Sequence, residues 1–323
     1  MNICVIGLGS MGKRRIRLLK EINPEFVIIG IDSNIERVKN VSEEYHIVCQ
    51  SSLFDVDEKI DCAFICTAPL SHGKIIQECL ERDCHIFSEI NLVDDFYEEN
   101  MKLAKIKNKV LFLSSTPIYR SEMQYIIKKV RDNGKPCVYQ YHVGQYLPDW
   151  HPWDKLSDFF VSNKATNGCR EYFAIELPWL QEAFGKIIGV NVIKKRIMEL
   201  GLDFPDTYLV QLVHENGNNG NLLVDVVSRQ SVRQLEVLNE DFYMKWNGTP
   251  DTLYDKDIVT GELKRVVTGE YVHMDGYSDW INETAYAEEI RAFFKVMKGE
   301  KSIYGFAEDV ATLKIIDEIE KQN

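Results

Sequence analysis

Hydrophobic and polar residues follow two different rhythms along this chain. In the first third, short apolar runs such as 2–6, 26–31 and 62–66 alternate with amphipathic segments such as 71–82 and 95–107. Continuous short apolar runs are typical of buried parallel strands, and the segments between them have the periodicity of helices. This order predicts a doubly wound parallel sheet of the Rossmann type.

The rhythm changes after Pro136. An extended aromatic segment is followed by a tryptophan-rich segment of mixed loop and helix, and then strands dominate. Two of these strands flank the Asn- and Gly-rich segment 215–221, which is a strong hairpin signal. The chain closes with two predicted helices, 282–298 and 306–321. We therefore predict an α/β protein with a Rossmann domain at 1–118 and an α+β domain at 119–323 that contains a large, mostly antiparallel sheet.

Three glycines lie between the first apolar run and the first helical segment. Gly7, Gly9 and Gly12 form the pattern G-x-G-x-x-G. In this pattern the glycines permit a tight turn, a close approach of a pyrophosphate to the backbone, and close packing of helix on strand. The amino end of the helix then presents free N–H groups to the phosphates. The pattern predicts a dinucleotide cofactor.

An acidic residue ends the next apolar run. Asp32 stands 20 positions after Gly12, where a carboxylate can accept hydrogen bonds from the adenosine ribose and would repel a 2′-phosphate. This favours NAD, while the nearby Arg37 leaves NADP possible. The alternative is that Asp32 is the N-cap of the following helix.

Ligands of doubly wound sheets bind at the carboxyl ends of the strands. Residues that follow several predicted strands, including 114–116, should therefore lie close together in one crevice. The predicted cofactor-binding residues are Gly7, Gly9, Ser10, Met11, Gly12, Asp32, Arg37, Thr67, Ala68, Pro69, His72 and Glu89.

Composition excludes several other classes. The chain has 323 residues and a net charge of −12, without a basic stripe for a nucleic-acid backbone. No run approaches the roughly 20 apolar residues of a membrane span, and the first strand begins without a leader, so we expect a cytoplasmic protein. The eight cysteines lack zinc-type C-x-x-C spacing, which predicts reduced core thiols and no metal.

Sequence motifs resemble those of the Gfo/Idh/MocA oxidoreductases. The resemblance rests on the order of the glycine turn, the segment Cys-Thr-Ala-Pro-Leu-Ser-His at 66–72, and Ser-Glu-Ile-Asn at 88–91. It implies an NAD(P)-dependent reaction at a sugar or cyclitol hydroxyl, and subunits that associate through the C-terminal sheet as a homodimer or homotetramer. The segment 141–153 also resembles a branch associated with bacterial surface-sugar biosynthesis.

The chain departs from the family at two motifs. The family's Glu-Lys-Pro motif falls on Glu89, Ile90 and Asn91, so the lysine commonly used in catalysis is absent. The second motif, Gly-x-x-x-Asp-x-Gly-x-His-x-x-Asp, falls on 168–179 and keeps only its first glycine. Tyr172, Glu176 and Trp179 stand at its aspartate, histidine and final aspartate.

Oxidation of an alcohol needs a proton acceptor at the hydroxyl. Glu176 is the leading candidate, because apolar neighbours would bury its carboxyl; the alternative is a structural pair with Arg170 or a backbone donor. His151, in a proline-bounded aromatic loop, is the second candidate, and Tyr172 the third. For each of these residues a purely structural role is the competing interpretation.

Other residues have side chains suited to a sugar or its charged substituents. The adjacent Arg170 and Glu171 could bind such a group or form a surface ion pair, and the tryptophans could stack on a sugar or belong to the core. The predicted substrate-binding residues are Lys13, Arg14, His142, Trp150, Trp153, Arg170, Glu171 and Trp179.

The sequence thus predicts an NAD(P)-dependent oxidoreductase that acts on a secondary hydroxyl of a sugar or nucleotide-activated sugar. Two alternatives remain open. One is an enzyme that holds NAD as a transient redox centre for elimination or epimerisation. The other is a non-catalytic protein that binds a nucleotide or a sugar.

Overall fold

The computed structural model describes residues 1–150, 155–156, 159–269, 272 and 281–322. The chain forms two compact units, one of Met1–Ser115 with Tyr286–Val310 and one of Thr116–Ala285 with Ala311–Asn323. This division differs from the two continuous domains expected from the sequence, 1–118 and 119–323. The difference arises because Tyr286–Val310 returns to the first unit.

The first unit contains a six-stranded parallel sheet with strand order β3-β2-β1-β4-β5-β6. Its strands are β1 (Asn2–Ile6), β2 (Val27–Ile31), β3 (Val48–Gln50), β4 (Cys62–Ile65), β5 (His85–Ser88) and β6 (Leu111–Leu113). The intervening helices are α1 (Ser10–Ile22), α2 (Ile35–Tyr45), α3 (His72–Glu81) and α4 (Tyr97–Lys107). The predicted Rossmann-type sheet is confirmed.

Strand register aligns the carboxyl ends in this sheet. Ile6 pairs with both Ile31 and Ile65, and Ile65 pairs with Ser88. The residues that follow these strands therefore emerge along one edge, as parallel pairing requires.

The returning segment packs into the core of the first unit. It includes most of α7 (Glu283–Met297) and the first turn of α8 (Phe306–Lys321). The Phe293 ring lies 5.5 Å from that of Phe64 and 5.6 Å from that of Phe87, edge to face in both cases. Burial of such aromatic rings stabilises the unit.

The second unit contains an eight-stranded sheet with order β14-β13-β12-β11-β7-β10-β9-β8. All its strand pairs are antiparallel except β7 with β10. Its strands are β7 (Val138–Gly144), β8 (Ile187–Lys195), β9 (Thr207–His214), β10 (Asn219–Asp225), β11 (Val232–Leu238), β12 (Tyr243–Trp246), β13 (Tyr254–Lys256) and β14 (Leu263–Arg265). Both the mostly antiparallel sheet and the β9–β10 hairpin are as predicted.

One face of this sheet packs on helix α6 (Gly168–Phe184), which follows α5 (Ser121–Asn133) and β7. Tyr139 and Tyr141 of β7 are buried, whereas Val138 and Gln140 of the same strand are exposed. The Tyr139 ring stacks on that of Phe184, 4.1 Å away. Alternate residues of β7 therefore face α6, and the others lie on the open face of the sheet.

Candidate active site

The glycine turn of the first unit shows why each glycine is present. Gly7 has φ of +94°, and a Cβ atom there would lie 2.6 Å from the carbonyl carbon of Cys66. At Gly12 a Cβ atom would lie 1.9 Å from the carbonyl oxygen of Gly7. A Cβ atom at Gly9 would meet no heavy atom within 4 Å. Gly7 and Gly12 are therefore required by the fold itself, whereas Gly9 opens space.

That open space lies at the amino end of α1. Gly9 is the N-cap residue, no side chain caps the helix, and its first turn, which includes Ser10 and Met11, carries no acidic residue. The free N–H groups and the helix dipole favour an anion there. The arrangement fits a pyrophosphate.

Asp32 follows β2 on the same edge of the sheet. Its carboxylate is 8% exposed and accepts hydrogen bonds of 2.8 Å from the backbone N–H groups of Leu8 and Asn34. The N-cap of α2 is Asn34, which accepts from Glu36 and Arg37. The alternative capping role predicted for Asp32 is therefore wrong. Its fixed carboxylate fits the adenosine ribose.

Arg37 lies beside this carboxylate, with its Nη1 atom 3.6 Å from Oδ2 of Asp32 and its side chain 57% exposed. An exposed guanidinium at this position could also pair with a 2′-phosphate. NADP thus remains compatible with the geometry, as predicted.

The segment after β4 is held by a buried histidine. The Nε2 atom of His72 lies 2.8 Å from the carbonyl oxygen of Thr67, and its Nδ1 atom lies 2.7 Å from Oδ1 of Asn91. Burial lowers the pKa of His72, which is 1% exposed. His72 therefore fixes the backbone around Thr67, Ala68 and Pro69 and is a positioning residue.

Glu89, at the end of β5, is anchored by an arginine that sequence reasoning missed. Its Oε1 atom accepts a 2.6 Å hydrogen bond from Nε of Arg15, and both side chains are buried. The missed signal is helical spacing, since Arg15 lies four residues before the buried Leu19 on α1. Ile90 follows and offers no titratable group.

The other basic residues of α1 differ from Arg15. Lys13 forms a surface ion pair of 2.6 Å with Glu44. Arg14 is buried, with its guanidinium 4.6 Å from the centre of the Tyr286 ring and Nη1 3.0 Å from Sδ of Met11. Both remain predictions as substrate-binding residues, although each already has partners within its own unit.

In the second unit, Glu176 is the centre of a buried cluster. Its Oε2 atom accepts hydrogen bonds from the Tyr141 hydroxyl at 2.8 Å and from the Trp179 indole at 2.6 Å. Its Oε1 atom lies 2.9 Å from Nη1 of Arg233. The alternative prediction that Arg170 pairs with Glu176 is therefore wrong. Two hydrogen bonds and one ion pair hold this carboxylate in place, and its role as proton acceptor stays a prediction.

Arg170 forms ion pairs, which was the predicted alternative to ligand binding. Arg170 turns toward α8, where its Nη2 atom lies 2.9 Å from Asp317 and its Nη1 atom contacts Glu320. Trp179 is fully buried, so the structure places it in the core of this unit and not on a ligand-facing surface. Both side chains are buried because α6 packs against other elements on more than one side.

The remaining candidates lie in different surroundings. Tyr172 is nearly buried, and its ring packs edge to face on Trp150 at 4.9 Å. His142 lies on the open face of the sheet, where its Nε2 atom is 2.7 Å from Oδ2 of Asp225. The predicted His151 and Trp153 lie outside the described residues.

Residues 1–113 match the profile of a family described as an oxidoreductase family with an NAD-binding Rossmann fold, GFO_IDH_MocA. This part of the chain is thus similar to the Gfo/Idh/MocA oxidoreductases. The match confirms the predicted class, an NAD(P)-dependent oxidoreductase, and the predicted cofactor, NAD. The Gfo/Idh/MocA region ends at the last strand of the parallel sheet.

Similarity to individual proteins extends over more of the chain. This chain is 25% identical over 293 residues to 4-carboxy-2-hydroxymuconate-6-semialdehyde dehydrogenase of Sphingobium sp., and the alignment covers 85% of this chain and 86% of that protein. Levoglucosan dehydrogenase, solved with NADH and levoglucosan, is 17% identical with a TM-score of 0.81, covering 99% of this chain and 96% of that one. UDP-N-acetylglucosamine 3-dehydrogenase of Acidithiobacillus ferrooxidans is 16% identical with a TM-score of 0.77, at 99% and 96% coverage. These two structures share the fold of this chain.

Two further observations concern the described residues only. None of the helices in those parts of the chain is long and apolar enough to cross a membrane. No group of three or more histidine, cysteine or acidic side chains there is arranged to hold a metal ion.

Proposed function

We propose that this protein is an NAD-dependent oxidoreductase that acts on a secondary hydroxyl of a sugar or nucleotide-activated sugar. Binding of NAD is supported by the open space over Gly9 at the amino end of α1, beside the fixed carboxylate of Asp32. A sugar or nucleotide-activated sugar as substrate is supported by the fold shared with dehydrogenases of levoglucosan and of UDP-N-acetylglucosamine. A role in surface-carbohydrate biosynthesis belongs to the same proposal.

The chain's own residues have separate tasks in this proposal. The N–H groups of the first turn of α1 bind the pyrophosphate, and Asp32 binds the adenosine ribose. Glu89, fixed by Arg15, orients the ribose or the nicotinamide amide. When bound, NAD supplies the acceptor or donor for a hydride at the substrate carbon. Because Ile90 cannot move a proton, a group outside the Glu-Lys-Pro position must do so.

The absence of a lysine at Ile90 also favours a second candidate. A protein that binds a nucleotide or sugar without catalysis has no need of that group. An enzyme that retains NAD through elimination or epimerisation oxidises its substrate transiently and takes the hydroxyl proton with another group. The first would bind NAD and never reduce it. The second would release NAD only on denaturation.

Binding and turnover of the purified full-length chain distinguish these possibilities. Calorimetry measures the affinities for NAD and NADP and so tests the proposed cofactor. Mass spectrometry of nucleotides released on denaturation detects a retained cofactor. Absorbance of NADH is then followed with levoglucosan and UDP-N-acetylglucosamine as probes. Reduction of free NAD with a sugar supports the proposal. Tight NAD binding without turnover of either probe counts against it.

We also propose that subunits associate through the open face of the eight-stranded sheet. A row of side chains crosses this face in register, with Ile193 beside Leu209, Leu209 beside Leu223, and Leu223 beside His142. Ile193 is 62% exposed and Leu209 is 50% exposed. Contiguous apolar side chains on a sheet face are typical of an interface.

A further inference from the structure

Three charged side chains form a buried group at the carboxyl edge of the parallel sheet, within the first unit. Arg15 of α1 donates to Glu89 through Nε at 2.6 Å and to Glu289 of α7 through Nη2 at 2.8 Å. Glu289 also accepts from the Ser114 hydroxyl at 3.0 Å and the Ser115 N–H at 2.7 Å. Because donors reach both of its oxygens, Glu289 is held as a carboxylate.

The charges of this buried triad, Arg15, Glu89 and Glu289, do not cancel. Two carboxylates face one guanidinium, which leaves one net negative charge on the three side chains. The side chains of Arg15 and Glu289 are completely buried, and that of Glu89 is 9% exposed. Water therefore screens the triad weakly, and Glu89 is the member that reaches the surface of the unit.

Glu89 lies two strands from the glycine turn, along the same edge of the sheet. Cys66, which follows β4, donates its backbone N–H at 2.7 Å to the carbonyl oxygen of Ile6, the residue before Gly7. The Sγ atom of Cys66 lies 4.0 Å from Oε1 of Glu89. The glycine turn, Cys66 and Glu89 are therefore neighbours in that order.

The strand order determines which part of the cofactor lies near Glu89. The order β2-β1-β4-β5 places Asp32, which fits the adenosine ribose, on one side of β1 and Glu89 on the other. The pyrophosphate fits the amino end of α1, directly after β1. The rest of a dinucleotide then extends over the ends of β4 and β5, so the nicotinamide part lies on the side of Glu89.

We propose that the excess carboxylate of the buried triad makes this protein bind oxidised NAD more tightly than NADH. The nicotinamide ring carries a positive charge in NAD and no charge in NADH, so a nearby negative charge stabilises only the oxidised form. The inference rests on the cofactor part of the proposed function and is independent of the substrate. Glu289 is a positioning residue, since it holds Arg15, and Arg15 holds Glu89 at the surface.

The affinities for the two oxidation states test this inference without any turnover. Calorimetry on the full-length protein measures the Kd for NAD and the Kd for NADH, and in the wild type the ratio of the first to the second should be below one. Glu289→Gln removes one buried negative charge and should raise this ratio by about tenfold. That is the effect of a unit charge over roughly two strand spacings at an effective dielectric constant of about 20.

A neighbouring glutamate of α7 provides the matched control. Glu288 pairs with Arg291 at 2.8 Å, and its side chain is 50% exposed, so water screens its charge. Glu288→Gln should therefore keep the wild-type ratio. Arg14, the adjacent cation of α1, is present in every protein compared. A variant that only distorts the site weakens binding of NAD and NADH together and leaves the ratio unchanged.

A second variant keeps the test decisive if Glu289→Gln does not fold, as judged by circular dichroism and thermal unfolding. Glu89→Gln removes a negative charge at the exposed end of the triad, and the amide oxygen can still accept from Arg15. It should also raise the ratio. An unchanged or lowered ratio in either folded variant overturns the inference, and so does a wild type that binds NADH more tightly than NAD.

Failure of this inference can be distinguished from failure of the proposed function. If the wild type binds neither NAD nor NADH, the cofactor assignment fails and the inference fails with it. If the ratio responds as expected and no sugar is oxidised, only the proposed substrate is wrong. If a sugar is oxidised and the ratio does not respond, only the role of the buried triad is overturned.

Discussion

Arg15 donates a 2.8 Å hydrogen bond from Nη2 to Oε2 of Glu289, a residue 274 positions later in the chain. Both side chains are completely buried. The same guanidinium donates through Nε to Glu89. Glu289 also accepts from the Ser114 hydroxyl at 3.0 Å and the Ser115 N–H at 2.7 Å. One arginine of α1 therefore joins that helix to α7 and to the residue that follows β5, all within the first unit.

Removing this arginine should destabilise the first unit. Arg15→Met leaves the Glu89 and Glu289 carboxyl groups without their buried cation, which typically costs about 3–5 kcal/mol. Urea denaturation measures the free energy of unfolding. Arg17→Met is the control on the same helix, because Arg17 pairs with the exposed Glu21 and should contribute less than about 1 kcal/mol. Equal stability of the two variants would contradict this account.

The features that sequence reasoning predicted well depend on local signals. The turn needs glycine at Gly7 and Gly12 because of atoms within a few residues or next to the adjacent strand, and Gly9 leaves space open, so the pattern is informative in sequence alone. Asp32 is recognisable from its distance to Gly12. The parallel sheet follows from alternating apolar runs and amphipathic segments, and the β9–β10 hairpin follows from its Asn-Gly content.

The features that sequence reasoning missed depend on distant partners. The buried cation beside Glu176 is Arg233 of β11 and not the nearby Arg170, which forms ion pairs with α8. The return of Tyr286–Val310 to the first unit depends on contacts of Phe293 with strands more than 180 residues earlier. No periodicity or spacing identifies such a partner.

Substitutions can distinguish the role of Gly9 from that of Gly12. Gly9→Ala meets no atom of the protein, so we expect the wild-type melting temperature and an affinity for NAD lowered by roughly tenfold or more, because the methyl group occupies pyrophosphate space. Gly12→Ala clashes with the Gly7 carbonyl and should lower stability as well. Calorimetry and thermal unfolding measure the two effects. Unchanged NAD affinity in Gly9→Ala would refute the placement of the pyrophosphate.

The pairing of Glu176 with Arg233 should be visible as energetic coupling. Glu176→Gln and Arg233→Met each break a buried ion pair and should lower the free energy of unfolding by roughly 3–5 kcal/mol. The double variant should be more stable than the sum predicts, with a coupling of about 0.5–3 kcal/mol. Additive losses, measured by denaturant unfolding, would mean that the pair is not formed.

Glu171 should make stability depend on pH. Its pKa rises from an ordinary 4.5 to about 7 in the folded chain, so between these values the unfolded chain binds fewer protons than the folded one. The free energy of unfolding therefore falls as pH rises through this window. Across this pH window the free energy of unfolding of the wild type should fall by up to about 3 kcal/mol relative to that of Glu171→Gln. Below and above the window, the difference between the two free energies should not change with pH. A pH-independent difference between the two proteins would contradict the raised pKa.

Charges on the open face of the eight-stranded sheet should separate the subunits. Ile193 and Leu209 are cross-strand neighbours on this face, beside a groove of about 670 Å³. Lysine at both positions would place two charges at the centre of the proposed interface, where their desolvation opposes association. We expect the Ile193→Lys/Leu209→Lys variant to sediment as a monomer while the wild type sediments as a dimer or tetramer. Val259→Lys is the control, because Val259 is 96% exposed and lies outside the sheet strands. If the double variant keeps the wild-type sedimentation coefficient, association uses another surface.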